Sequence, residues 1–474
     1  MNELATGSVW SKFRKKFIGD QKFYRHLLVI SVPIMLQSAI SNFVSLLDNI
    51  MVGRVGTEQM TGVAISNQLF FVFFLAIFGG LAGAGIFTAQ YYGKGDDEGV
   101  RETFRYKIWM GALLLLVAIA IFIIFGKQLI TLYLMGEQSQ GDPEAALRYG
   151  RLYMLINLIG LPGFTTTQVY AGTMRDCGKT RLPMVAGIIA VLSNLLLDWL
   201  LIFGIGPLPT LGVAGAAIAT VVARYIEMLI VVIYSHKNLT ELRYMKGLYK
   251  TLFLPFDLLK NITIKGMPLL LNEFLWSLGM ATLVQCYSIR GLEVVAGFNI
   301  CNTVGNVVNI TFISMGDAVA IIVGQLLGAG DMKKAKDSDN KIIAFAVFLG
   351  LISSVFLFIL AHVFPQIYNT SDEVKLLAKQ FMLTQTVFLP MFGFLHTTYF
   401  TLRSGGKTII TFIFDSVFMW VISVPVAYCL SRFTGLYAVN IYFIVLSTEI
   451  IKCIVGFTLV KKNIWMQNLT IKGD

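Results

Sequence analysis

Long blocks without a charged residue alternate along this chain with short polar, mostly basic runs. Thr61–Gly93 holds 33 residues without a charge, Trp199–Ala223 holds 25 and Ile108–Gly126 holds 19. Each exceeds the ~18 residues that read as a membrane-crossing helix. The blocks do not alternate apolar and polar positions, as the strands of a membrane barrel must. The pattern therefore predicts an all-α polytopic membrane protein with twelve transmembrane helices. They fall at 27–52, 61–91, 108–132, 147–173, 183–205, 212–235, 266–288, 296–326, 342–366, 377–402, 408–430 and 436–460. The longest connection, 236–265, joins the sixth to the seventh and halves the chain.

The halves repeat each other. A shift of 235 carries Pro33 to Pro268, Gly56 to Gly291, Gly62 to Gly297 and Asn67 to Asn302. It also carries Gln90-Tyr-Tyr-Gly-Lys-Gly-Asp96 onto Gln325-Leu-Leu-Gly-Ala-Gly-Asp331. A shift of 228 maps Pro162 to Pro390 and Arg175-Asp-Cys-Gly-Lys-Thr180 onto Arg403-Ser-Gly-Gly-Lys-Thr408, and 223 maps Gly212 to Gly435. Six spans per copy is an even number, so both copies enter from one side. This predicts two six-helix lobes related by pseudo-two-fold symmetry about the membrane normal, a design transporters use to place substrate between halves. The expected division is an amphipathic N-terminus 1–25, a first lobe 26–235, a linker 236–265, a second lobe 266–460 and a tail 461–474.

Composition agrees with this. Over 474 residues, 56% are hydrophobic and 14% charged, against roughly 25% charged in soluble domains. The net charge is +11, and its distribution orients the chain. Loops and flanking turns on the N-terminal side hold 28 Lys and Arg against 8 on the other, which predicts both termini in the cytoplasm of a plasma-membrane protein. Trp10, Phe13 and Phe17 among Lys12, Arg14, Lys15 and Lys16 read as a segment lying on anionic membrane lipids. No basic domain stands apart from the spans, so nucleic acid is not an expected partner. Five cysteines without pairing or metal spacing predict neither disulfide nor zinc, and no signal-peptide cleavage site is visible.

Ionisable groups inside hydrocarbon cost roughly 2.5–3.5 kcal/mol each and point to function by default. The spans contain Asp48, Asp198, Arg224, Glu227, Glu273, Asp317, Asp415, Glu449 and Lys452. Asp198 lies ~15 residues into the fifth span, roughly 22 Å deep at 1.5 Å per residue, and Asp48 lies near the outer end of the first. Asn194 shares the helix face of Asp198, and Thr220 reaches a similar level on the sixth span. These four can meet as a cluster of oxygens suited to a monovalent cation, Na⁺ included. The two carboxyl groups can instead share one proton. Either way the cluster loads and unloads one positive charge; the plainer alternative is that the group only ties helices together. Glu273, His396 and Asp415 are second-lobe or substrate-cavity candidates, with Gln168 at the repeat position of His396. Arg224/Glu227 and Glu449/Lys452 are each three apart, which predicts ion pairs along a helix. Prolines inside spans (Pro33, Pro162, Pro268, Pro390, Pro425) can kink them. The 36 Phe and 19 Met suit a cavity for lipophilic, often cationic ligands.

Gly172–Thr180 mimics a phosphate-binding loop but has five residues between its glycines and follows a span; it reads as a tight turn. With no ATPase motif, transport must draw on an ion gradient. The Asp48-Asn-Ile-Met-Val-Gly-Arg-Val-Gly56 stretch, the paired Gln-x-x-Gly-x-Gly-Asp and Arg-x-x-Gly-Lys-Thr turns and the two-lobe pattern together resemble the multidrug and toxic compound extrusion (MATE) family. Asp48 and Asn194-x-x-x-Asp198 resemble its DinF-like branch. That resemblance implies a V of two bundles, a cation site at Asp48, Asn194, Asp198 and Thr220, and no cofactor. It implies export of drug-like small molecules against inward H⁺ or Na⁺, by a protein expected to act as a monomer. Phe392 stands where NorM-type members carry an acid in span ten, Glu273 is one turn off their span-seven acid, and Val44 replaces a tyrosine of some relatives. A flippase for lipid-linked saccharides is a related alternative, disfavoured because Arg224 and Lys452 are the only intramembrane bases. A lipid-modifying membrane enzyme is a different one, disfavoured because no catalytic constellation is present; the chain is not expected to be an enzyme.

Overall fold

The computed structural model describes residues 14–136, 142–204 and 209–471. Trp10, Lys12 and Phe13 of the expected amphipathic segment lie outside these. Within the described residues, every expected span is a helix, and no strand occurs. The twelve long helices are α1 (Gln21–Gly53), α2 (Thr57–Lys94), α3 (Asp97–Gly136), α4 (Pro143–Asp176), α5 (Arg181–Phe203) and α6 (Val213–Lys237), then α7 (Phe256–Ser288), α8 (Leu292–Gly328), α9 (Met332–Val363), α10 (Asp372–Ser404), α11 (Thr408–Phe433) and α12 (Ala438–Lys461). Ten are apolar enough to qualify as spans by composition alone. The other two are α4 and α10, repeat counterparts, each with three threonines on its buried face. They give up apolar character because they pack against neighbours on several sides, whereas α3 turns Leu113, Leu116 and Ile124 outward as a lipid-facing helix does.

The repeated motifs are turns, and the two copies fold alike. Gly95 and Gly330 adopt φ of +77° and +79°, a left-handed conformation that glycine reaches without steric cost. The aspartate that follows caps the next helix: Asp96 Oδ1 accepts from Gly99 N at 2.9 Å and Asp331 Oδ1 from Lys334 N at 3.1 Å, satisfying an otherwise unpaired N–H. In the Arg-x-x-Gly-Lys-Thr turns, Gly178 N donates to Arg175 O and Gly406 N to Arg403 O, both at 2.8 Å. Gly172–Thr180 is accordingly a helix-ending turn.

The described chain divides into two compact units. One holds residues 36–88 and 96–270; the other holds 271–471 with 89–95 and 14–35. The first six helices supply most of the first unit, and the last six most of the second. The boundaries of the units fall within the continuous helices α1 and α7, two residues after Pro33 and Pro268. In the second unit, Leu27, Ile30 and Ile34 of α1 pack with Val319 and Ile322 of α8 and with Trp465 of the tail. There the ends of α2 and α8 cross so closely that a Cβ on Gly93 would sit 1.9 Å from Gln325 O, and one on Gly328 1.9 Å from Gln90 O. The buried Gln90 side chain then holds the tail: Nε2 donates to Ser404 O (2.9 Å) and Gln467 O (3.2 Å), and Oε1 accepts from Leu469 N (2.6 Å).

Candidate functional site

In the first unit, α1, α5 and α6 bring the predicted cluster together in part. The carboxyl groups of Asp48 and Asp198 lie beside each other. Two carboxyls can hydrogen-bond to one another only when a proton sits between them. Asn194, one turn before Asp198 on α5, lies beside the same carboxyl. Asp198 and Asn194 are buried, at 2% and 8% exposure. Three buried atoms here have no full hydrogen-bond partner: Asp48 Oδ1, Asp198 Oδ1 and Asn194 Nδ2. Buried polar groups are almost always paired, so three orphans at one place ask for an occupant. The two ends of a carboxamide are interchangeable by rotation, so Asn194 can offer oxygen to a cation or N–H to a carboxylate.

Thr220 stands at the edge of this group. Its hydroxyl donates to Ala216 O at 3.0 Å and lies near the hydroxyl of Tyr153, a buried residue on α4. Tyr153 is the neighbour the sequence did not disclose, because no charge marks it. It lies in the field of Asp48, Asp198 and Arg224.

Arg224 corrects one expectation. No Arg224–Glu227 ion pair forms among the described residues; the guanidinium lies over the rings of Phe74 (5.1 Å) and Phe164 (5.6 Å), with Nη1 unpartnered. Helical spacing permits the pair, but the aromatic faces of α2 and α4 hold the cation instead. Gln168 accepts from Arg175 Nη2 through Oε1 at 3.1 Å. Elsewhere in this unit the buried Lys107 ammonium pairs with Asp176 at 2.6 Å.

The second unit contains a different cluster. Asp415 Oδ2 accepts from Asn272 Nδ2 at 3.0 Å, and Asp415 Oδ1 lies 3.3 Å from Lys452 Nζ. Lys452 also pairs with Glu449 at 2.9 Å, as its spacing on α12 predicted. Ser416 Oγ donates to Asn272 within 2.9 Å of the backbone oxygen and 2.7 Å of Oδ1. Glu273, the next residue on α7, lies in the field of Arg403 and Asp415. His396 Nδ1 is bonded to Phe392 O at 3.0 Å, with its ring 6.0 Å from that of Phe312. Asp415 itself lies in a wide π turn, Ile413–Val417, followed by a second at Met419–Ser423. Pro425, which lacks an N–H to donate, stands just beyond. The Asn272–Asp415 contact repeats one in the first unit, where their shift-mates Gln37 and Gly187 touch. That correspondence was the available signal for Asn272.

The MatE family model matches residues 33–200 and 268–429, once on each repeat, and the two matches begin at the paired prolines. The chain belongs to the MATE family. MATE proteins are transporters rather than enzymes, and they need no cofactor. This MATE chain is 24% identical over 420 residues to "Probable multidrug resistance protein YoeA" of Bacillus subtilis, covering 88% of this chain and 89% of that one. It is 24% identical over 415 residues to "Probable multidrug resistance protein NorM" of Thermotoga maritima, covering 86% of each. A crystal structure of the Vibrio cholerae MATE transporter VcmN superposes with a TM-score of 0.84 at 18% identity, over 94% of this chain and 98% of that one.

Proposed function

We propose that this MATE chain is a secondary active antiporter that exports lipophilic, often cationic drug-like compounds in exchange for one monovalent cation, H⁺ or Na⁺, carried at Asp48 and Asp198. The relatives named above as multidrug resistance proteins support the substrate class. The observation that carries the coupling site is the abutting Asp48–Asp198 pair with three orphaned buried atoms around it. A carboxyl pair in low dielectric strongly favours holding exactly one compensating positive charge over none or two. Asn194 offers that charge a further ligand, and Tyr153 with Thr220 flanks it. The same reading places both termini in the cytoplasm of the plasma membrane, from the 28 to 8 bias in Lys and Arg, and treats the chain as functional as a monomer.

The test is reconstitution of the full chain into vesicles, with efflux of a fluorescent lipophilic cation followed under imposed Na⁺ or pH gradients. Asp48→Asn and Asp198→Asn should each reduce gradient-driven efflux to the level of empty vesicles while the proteins still elute as folded monodisperse species. Coupled efflux surviving in both would overturn the site. The gradient that drives the wild type names the ion.

A further inference from the structure

The second unit raises a question that the coupling site does not answer: why three charged side chains lie together in a membrane-spanning bundle. Lys452 is 8% exposed, and Glu449 and Asp415 reach its ammonium at 2.9 and 3.3 Å. The rings of Phe414 and Phe418 also lie 5.6 and 5.5 Å from Nζ, each presenting the negative face that attracts a cation. Two carboxylates and two aromatic faces around one positive centre form a cation site whose cation is a side chain. Its donors are used up: Asp415 gives one oxygen to Lys452 and the other to Asn272, and Ser416 holds the oxygen of Asn272. None of these four side chains is among the buried atoms lacking a partner.

We propose that Lys452 is the resident cation of the second lobe: its ammonium fills the place a mobile monovalent ion would take between Asp415 and Glu449, so this lobe exchanges no ion during transport. Its consequence, coupling through the first lobe alone, rests on the reading of Asp48 and Asp198; the occupancy of the second lobe does not. Removing the ammonium while leaving both carboxylates should create a vacant site whose charge and oxygen donors suit a small hard cation. Such ions are taken by carboxylate and carbonyl oxygens rather than by softer ligands.

The experiment uses the purified full chain and equilibrium binding of radioactive sodium, in a background of Asp198→Asn that silences the first lobe. The background protein should bind no saturable sodium. Adding Lys452→Met should create one saturable site per chain and raise the melting temperature by a few degrees in sodium chloride over choline chloride. Adding Asp415→Asn to that pair should abolish both effects. Saturable binding in the background protein that Asp415→Asn removes would overturn the proposal, because the lobe would then already take an ion. So would a folded Lys452→Met protein that binds none. If Lys452→Met does not fold in either salt, Glu449→Gln/Lys452→Met, which removes one charge of each sign, decides instead. It binds sodium through Asp415 if the proposal holds and binds none if it fails. Coupled efflux by the Asp198→Asn protein would refute the first-lobe reading separately, without changing what the sodium measurement says.

Discussion

The two repeats agree where the chain turns and differ where it carries charge. At their agreement, Gly95 and Gly330 share a left-handed backbone, Asp96 and Asp331 cap the helices that follow, and Gly93 and Gly328 meet the carbonyls of Gln325 and Gln90 reciprocally. At their difference, the first unit sets two carboxyls against each other and leaves buried atoms unpaired. The second surrounds its carboxylates with Lys452, Asn272 and Ser416 and leaves none of those groups unpaired. Backbone geometry is a requirement of the fold, so duplication preserves it. A charge cluster is a requirement of what the lobe does. An unsatisfied cluster stores affinity for something that comes and goes; a satisfied one holds helices in place.

The sharpest way to break that contrast is by stability. Asp415→Ala leaves the buried Lys452 ammonium with Glu449 alone and the Asn272 amide with the Tyr399 hydroxyl alone; breaking a buried ion pair outright costs about 3–5 kcal/mol, and the surviving contacts hold this loss near the lower end. Asp198→Asn separates a pair that is already incompletely satisfied and keeps the side-chain volume, so it should cost less than ~1 kcal/mol. Unfolding of both proteins in matched detergent, followed by helical circular dichroism, measures the two side by side. A loss at Asp198→Asn as large as that at Asp415→Ala would make the first cluster structural too.

The sequence made the architecture legible because its carrier is redundant. Hydropathy marks every span, and motifs at fixed shifts mark the duplication and the turns. It was less informative at helix ends: α3 begins at Asp97 where the apolar block begins at Ile108, because Glu98, Arg101 and Arg105 end a hydropathy signal without ending a helix. The site was legible only as far as charge reveals it. Asp48 and Asp198 announce themselves, and Asn194 follows from its place one turn before Asp198; Tyr153 and Ser416 stand at no such spacing from a predicted acid and become neighbours through helix packing alone. Arg224 shows the converse, since its spacing from Glu227 promised a pair that two phenylalanine rings replaced. The π turns at Ile413–Val417 and Met419–Ser423 leave no mark in the local periodicity of the sequence.

The agreement between repeats has its own test, with a smaller effect. Gly93→Ala and Gly328→Ala each force a Cβ against a backbone carbonyl that cannot rotate away. Overpacking of this kind costs typically 1–3 kcal/mol. Because the two contacts are reciprocal, the losses should match within about 0.5 kcal/mol, and each should loosen the tail that Gln90 holds. Protease accessibility of the tail, measured together with thermal unfolding, reads both effects. A large loss for one glycine and none for the other would mean that the crossing is not shared equally.

The smallest effect belongs to an exposed pair and calibrates the rest. Glu241, in the segment after α6, accepts from Lys179 Nζ at 2.9 Å and from the Tyr234 hydroxyl at 2.9 Å. These bonds, the lysine first, hold its carboxyl below the ordinary value of 4.5. A carboxyl whose folded value is depressed contributes stability above its unfolded value and loses it as pH falls through the folded one. Its contribution is therefore complete at neutral pH and fades below about pH 4.5. Both partners are well exposed, at 38% and 42% for Lys179 and Glu241, so water and salt screen the attraction and Glu241→Gln should cost less than ~0.5 kcal/mol. Thermal unfolding at pH 7 and pH 4, with and without the substitution, checks the sign: a difference present at pH 7 should shrink at pH 4. The same substitution logic applied to Lys452 should give a far larger number, because there the charges are enclosed by helices rather than by solvent. If the exposed pair proved as costly as the buried triad, burial would not be what separates the two kinds of cluster.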